Sequence, residues 1–225
     1  MKHTRPLEER AVTCEVRAEG DQEGMITGRP IVFNSWTDLG WFDEIIDGRA
    51  LNTTDLTDVR FLVNHDFSKI PLARSRRNNG NSTMQLFTDE EGMLIKAQLD
   101  IENNAEAKSL YSAVQRGDIT GMSFCFSVRG DEWQDLDSDH PKRRITDIES
   151  VVEVSAVTFP SYDSTSINAR SKEALESARS ALESARQQTG EPLESGETRS
   201  SEGEDLDLAR AKFEFQKNFS KGDTK

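Results

Sequence analysis

Cysteine is nearly absent. Cys14 and Cys125 are the two in 225 residues, far apart and at no metal or redox spacing. A disulfide-stapled scaffold is thereby excluded. Basic charge is also short: 28 Lys and Arg stand against 41 Asp and Glu, a formal net charge of −13. General nucleic-acid binding rests on a basic footprint and does not fit that balance, whereas a basic protein partner does. There is no secretory apolar segment and no apolar run of membrane-spanning length. The expectation is a cytoplasmic chain with reduced thiols and no membrane partner. Apolar residues make up only 34%, and they are unevenly spread. From about residue 171 onward Glu, Ser, Arg, Ala and Gly dominate, so the first 170 residues carry nearly all the core.

What is present before that point reads mostly as short strands. "AVTCEVRAE" (11–19) alternates in period two. "GMITGRPIVFNS" (24–35) is a second candidate, bent at Gly28 and Pro30. "WFDEIIDGRAL" (41–51) mixes acids with apolar residues and is expected to begin a short helix after Trp41. "VRFLVNHD" (59–66), "IPLARS" (70–75) and "GMSFCFSV" (121–128) are further strands. "STMQLFTDEEGMLIKAQL" (82–99) reads as a hairpin turning at Glu91-Gly92. "NNAEAKSLYSAVQRGDI" (103–119) has helical spacing, with Asn103 or Asn104 to cap it and Gly117 to stop it. "RRITDIESVVEVSAVTFP" (143–160) holds the last long strand. The pattern predicts an α+β domain with a compact β-barrel-like core.

The tail differs in kind. "EALESAR" (173–179) is repeated at once as "SALESAR" (180–186), giving a narrow apolar stripe on a short exposed helix suited to docking on a partner. "QQTGEPLESGETRSSEGED" (187–205) is linker-like. "LDLARAKFEFQKNFS" (206–220) regains apolar character and suits a docking peptide. The expected layout is an arm and first strand at 1–24, a main domain at 25–170 and a flexible, partly helical tail at 171–225.

Ser123 interrupts the apolar strand "GMSFCFSV" between Met122 and Phe124. It is either a small hydrogen-bonded residue on the wetter face or a nucleophile. A serine nucleophile needs a base within reach, and the base needs an orienting group. The chain offers three histidines. His3 lies in a loose terminus and His140 in a charged loop, while His65 closes a strand, where an imidazole emerges from a sheet. A histidine there is structural or a base. Glu153 sits between Val152 and Val154 in an otherwise apolar strand. A buried carboxylate is costly unless paired, and one reason to keep it is to hold a histidine. The alternative is a solvent-facing or arginine-bound residue. Asp147 and Glu149 are weaker candidates, and Cys125, on the serine's face, is the rival nucleophile.

"VNHD", then "GMSFCF", then "VEVSAVTFPSY" together resemble the prohead (capsid-maturation) proteases of tailed phages with the HK97 type of capsid, over about residues 25–170. That family is related to the herpesvirus assemblins, so the resemblance implies an assemblin-like barrel with flanking helices. It implies a serine endopeptidase with His65 and Ser123 in the family's catalytic positions and Glu153 at the acidic one. No metal or cofactor is implied. The implied partners are the major capsid protein with its scaffolding region and the chain itself, through self-cleavage and a dimer. The implied place is the procapsid in the host cytoplasm. A non-catalytic scaffold or assembly chaperone and an acidic module for a basic partner are the alternatives.

Overall fold

The structure, a computed structural model, describes residues 6–13, 16–19, 22–158 and 165–189, with side chains of the last segment described over 171–187. The chain divides into two compact units, Met1–Ser184 and Ala185–Lys225, and the architecture below is that of the first. His3, Cys14 and the tail segments 190–205 and 206–220 lie outside the described residues.

In chain order the elements are β1 (Glu8–Thr13), β2 (Arg17–Ala18), β3 (Met25–Val32), β4 (Thr37–Asp38), β5 (Asp43–Ile46), β6 (Asp58–Val63), β7 (Ala73–Arg76), β8 (Met84–Thr88) and β9 (Gly92–Gln98). Then follow α1 (Ala105–Arg116), β10 (Gly121–Gln134), β11 (Lys142–Val157) and α2 (Thr165–Thr189). The α+β class agrees with the sequence pattern. The barrel does not. Among the described residues the strands form a seven-stranded sheet and a separate four-stranded one, β2-β3-β9-β8. A physical reason lies at β7, which passes β8 without a ladder. The amide of Arg74 donates to Thr83 Oγ1 and that of Arg76 to Ser82 Oγ, both at 2.9 Å. Side-chain oxygens thus take donors that a closed barrel would give to backbone carbonyls.

The larger sheet is organised around the β10–β11 ribbon. β1 pairs antiparallel with β10, and β11 is flanked at one end by β5 and at the other by β6, both parallel. Register shifts after Cys125, Ser127, Val128 and Gly130 bend the ribbon. Its inner half is buried because Met122, Phe124, Phe126, Ile148, Val151 and Val154 face the main core. The smaller sheet supplies Ile26, Ile31, Met84, Met93 and Ile95 to the same core. α1 closes it with Ala107, Leu110, Tyr111 and Val114, one stripe at helical spacing. Asn104 caps its first turn through Oδ1, and Gly117 ends it at φ 77°.

The helix expected after Trp41 is a correction: residues 43–46 are β5. Ile45 and Ile46 are β-branched, and β5 lies alongside Arg144 and Ile145 of β11, so pairing overrides the mixed local pattern. The 82–99 hairpin forms, and Gly92 begins β9 at φ 144°. A Cβ there would stand 1.9 Å from the Ile31 carbonyl oxygen, so no larger residue fits. α2 runs 25 residues rather than only the two repeats, and its Leu175 is buried against Leu39 and Phe42.

Candidate active site

Ser123 sits on β10 opposite Ser155 of β11 and Ala11 of β1. Glu153 sits on β11 opposite Cys125. His65 follows the end of β6, which pairs with β11 as far as Val63–Ala156. The Asn64 amide extends that pairing by donating to the Ala156 carbonyl at 3.0 Å. Asn64 and His65 then adopt φ of 50° and 57°. This left-handed geometry is uncommon outside glycine, and it turns the chain sharply at the sheet end. The turn brings the imidazole back over the ribbon. Asp66 braces it by accepting from the Ser68 amide at 3.0 Å and from the Ser68 hydroxyl, which holds the Asp66 carboxyl below its ordinary pKa.

The three residues singled out in the sequence meet here. His65 Nε2 is 2.6 Å from Ser123 Oγ, and His65 Nδ1 is 2.7 Å from Glu153 Oε2. Glu153 and Ser123 have no solvent exposure, while the imidazole keeps 16%. With the buried carboxylate accepting from Nδ1–H, the Nε2 lone pair is free to accept from Ser123. Such an arrangement can remove a proton from a hydroxyl and return it to a leaving group.

Two partners were not singled out in the sequence. Ser155 Oγ donates to Glu153 Oε1 and accepts the His65 amide N–H at 3.0 Å. Its signal was present in "VEVSAV": period two puts Glu153 and Ser155 on one face, a polar pair in an apolar strand. The second is Arg10, whose carbonyl lies 2.8 Å from Ser123 Oγ. No sequence signal points to a backbone oxygen of a distant strand.

Arg10 also anchors β1. Its guanidinium bonds Glu8 at 2.6 Å and Glu44 at 2.8 Å, and Arg143 reaches the same carboxylates at 2.7 and 3.0 Å. All four residues are buried. Burial works against both guanidinium charges, but Glu44 and Glu8 more than offset it, so Arg10 and Arg143 are pushed up from the ordinary arginine pKa. Burial alone would also raise the Glu8 carboxyl, yet Arg10 and Arg143 hold it down at about 2.

Other candidates fall elsewhere. His140 lies within 3.2 Å of Asp43 at the surface, Asp147 pairs with Arg129, and Glu149 accepts from Ser127 at 3.4 Å. Cys125 is buried and in no disulfide among the described residues, and the imidazole meets Ser123 instead. Among the described residues, Asp38, Asp43 and His140 bring ligand atoms within 4.8 Å of one another, with Asp38 and His140 exposed and Asp43 part-buried.

Residues 12–179 match the family model described as caudovirus prohead serine protease. The chain belongs to the caudovirus prohead serine proteases. A curated relative is the prohead protease of Enterobacteria phage HK97, 29% identical over 170 residues that span 73% of this chain and 69% of that one. No solved structure matches. As a prohead serine protease the chain is a serine peptidase, which overturns the non-catalytic scaffold alternative. Among the described residues no helix is long and apolar enough to cross a membrane.

Proposed function

We propose that this prohead protease is a serine endopeptidase in which Ser123 is the nucleophile, His65 the general base and acid, and Glu153 the group that orients His65. The observation that carries the assignment is the continuous relay of 2.6 and 2.7 Å from Ser123 through His65 to Glu153. Ser123 Oγ bonds to the carbonyl carbon of the scissile peptide as its proton passes to His65 Nε2. The tetrahedral intermediate collapses, the C–N bond breaks, and Nε2 returns the proton to the leaving amine. Water, activated by the same imidazole, then hydrolyses the acyl-enzyme. Glu153 stabilises the imidazolium formed in each half.

The substrate we propose is the scaffolding region of the major capsid protein inside the procapsid, together with the chain's own tail. Family membership and the HK97 relative support the first. The linker-like composition of 187–205 supports the second, since proteolysis needs an extended, accessible chain. Association of two copies, as in the herpesvirus relatives, belongs to the same proposal.

The test is intact mass after expression of the unmodified chain, Ser123→Ala and His65→Ala, each alone and with the capsid protein. The expected result is cleavage of tail and scaffolding region by the unmodified chain only. Equal cleavage of the capsid protein by Ser123→Ala would overturn the assignment.

A further inference from the structure

The relay from Ser123 to Glu153 leaves Ser155 without a task. Ser155 is fully buried on β11, two positions past Glu153 and directly opposite Ser123. Its hydroxyl joins the Glu153 carboxylate to the His65 backbone, a second link beside the bond from Glu153 to the imidazole. Oγ donates to Glu153 Oε1 and accepts the His65 amide N–H at 3.0 Å. Glu153 Oε2 meets His65 Nδ1 at 2.7 Å. The three residues close a ring, from the His65 backbone through Ser155 and Glu153 back to the His65 imidazole.

Each link constrains something that is soft by itself. The terminal torsion of a glutamate has a broad, roughly two-fold profile, so the carboxylate plane is not set by its own rotamer. A hydroxyl on Oε1 sets it and leaves Oε2 facing Nδ1. The left-handed backbone at Asn64 and His65 persists only where neighbours hold it, and Ser155 holds it at the histidine itself. The donation to Oε1 also satisfies a buried carboxylate oxygen.

We propose that Ser155 is a positioning residue of the protease. Its hydroxyl sets the carboxylate plane of Glu153 and the backbone of His65 together, so that Nε2 stays aimed at Ser123 Oγ. This rests on the assignment of Ser123, His65 and Glu153.

The experiment uses the full chain, Ser155→Ala and Ser155→Thr, with two readouts and a melting curve. The first is the rate of labelling by a fluorophosphonate probe. Ser123 Oγ bonds to phosphorus, fluoride leaves, and the serine proton passes to His65. The second is the low-field proton resonance of His65 Nδ1–H. In Ser155→Ala the labelling rate is expected to fall about 10–100-fold, and the resonance to move upfield and exchange faster. Ser155→Thr, which keeps the hydroxyl, is expected to recover labelling to within about threefold of the parent. Ser155→Cys, a weaker donor without the extra methyl, serves if threonine unfolds the chain.

An alanine variant that labels within about twofold of the parent, with the resonance unmoved, overturns the proposal. So does loss in both variants that only tracks a lowered melting temperature. If the folded chain resists the probe, the resonance decides alone. Ser123→Ala and His65→Ala run alongside. Labelling that survives Ser123→Ala, or a resonance that survives His65→Ala, overturns the underlying assignment and not the role of Ser155.

Discussion

Ser123 has one proton and two acceptors, His65 Nε2 at 2.6 Å and the Arg10 carbonyl at 2.8 Å. In the proposed assignment only the first yields a nucleophile, so orientation of the imidazole decides the chemistry at this residue. Glu153→Gln tests that dependence. An amide presenting its NH₂ to Nδ1 favours the tautomer protonated on Nε2, which cannot accept from serine. Labelling of Ser123 by a fluorophosphonate is expected to drop roughly 10²–10⁴-fold, with the melting temperature little changed. His65 and Glu153 were legible in the sequence because each is out of place: an imidazole at a sheet end, an acid in an apolar strand. Ser155 was legible only as a polar neighbour on the face of Glu153; its bonds to Glu153 and to the His65 amide came with the tertiary structure.

β1 is held to the sheet by ladder bonds and by the Glu8–Arg10–Glu44–Arg143 cluster. Removing one member leaves buried charge uncompensated. Glu44→Ala is therefore expected to lower stability by about 3–5 kcal/mol in a urea melt. Glu8 adds a pH dependence. Its carboxyl is held at about 2 against an ordinary 4.5. A carboxyl depressed by folding stabilises fully above its unfolded pKa, and that stabilisation, about 3 kcal/mol here, is lost as pH falls through the folded value. The melting temperature is expected to fall between about pH 4.5 and about pH 2, and to fall less in Glu8→Gln. β9 carries a separate steric constraint. Gly92→Ala would place a Cβ 1.9 Å from the Ile31 oxygen at φ 144°, and a loss of about 1–3 kcal/mol or more is expected in the same melt. Most strands were legible from alternation. β5 was not, because its pairing with β11 comes from the far end of the chain.

Two apolar clusters hold the described molecule. The larger joins both sheets and α1. The smaller joins Leu39, Phe42 and Leu175 of α2, with Trp41, Trp133 and Leu136 packed against them. Arg179 adds bonds to the carbonyls of Leu136 at 2.9 Å and Ser138 at 2.7 Å. The repeat stripe was read as a face for a partner, and Leu175 of that stripe instead packs within its own unit. Leu175→Ala is expected to cost about 2–5 kcal/mol if the helix stays docked. If the lost packing releases the helix instead, limited proteolysis near residue 170 is expected to cut faster than in the parent.

Composition and local patterning, period two in the strands and helical spacing with its caps at 105–116, were sufficient by themselves for the α+β class, the order of most strands, that helix and the identities of His65, Ser123 and Glu153 as candidates. These are local properties: side-chain type and spacing decide them within a few residues. The open pair of sheets, the parallel placement of β5 and β6 on β11, the Arg10 carbonyl at Ser123 and the ring through Ser155 were decided only by tertiary structure. Each depends on which distant backbone atoms become neighbours. Ser155 lies 90 residues from His65, and Arg10 lies 113 from Ser123. No pattern confined to one segment encodes a hydrogen bond between such atoms, because register and turn geometry set their distance only when the whole sheet forms.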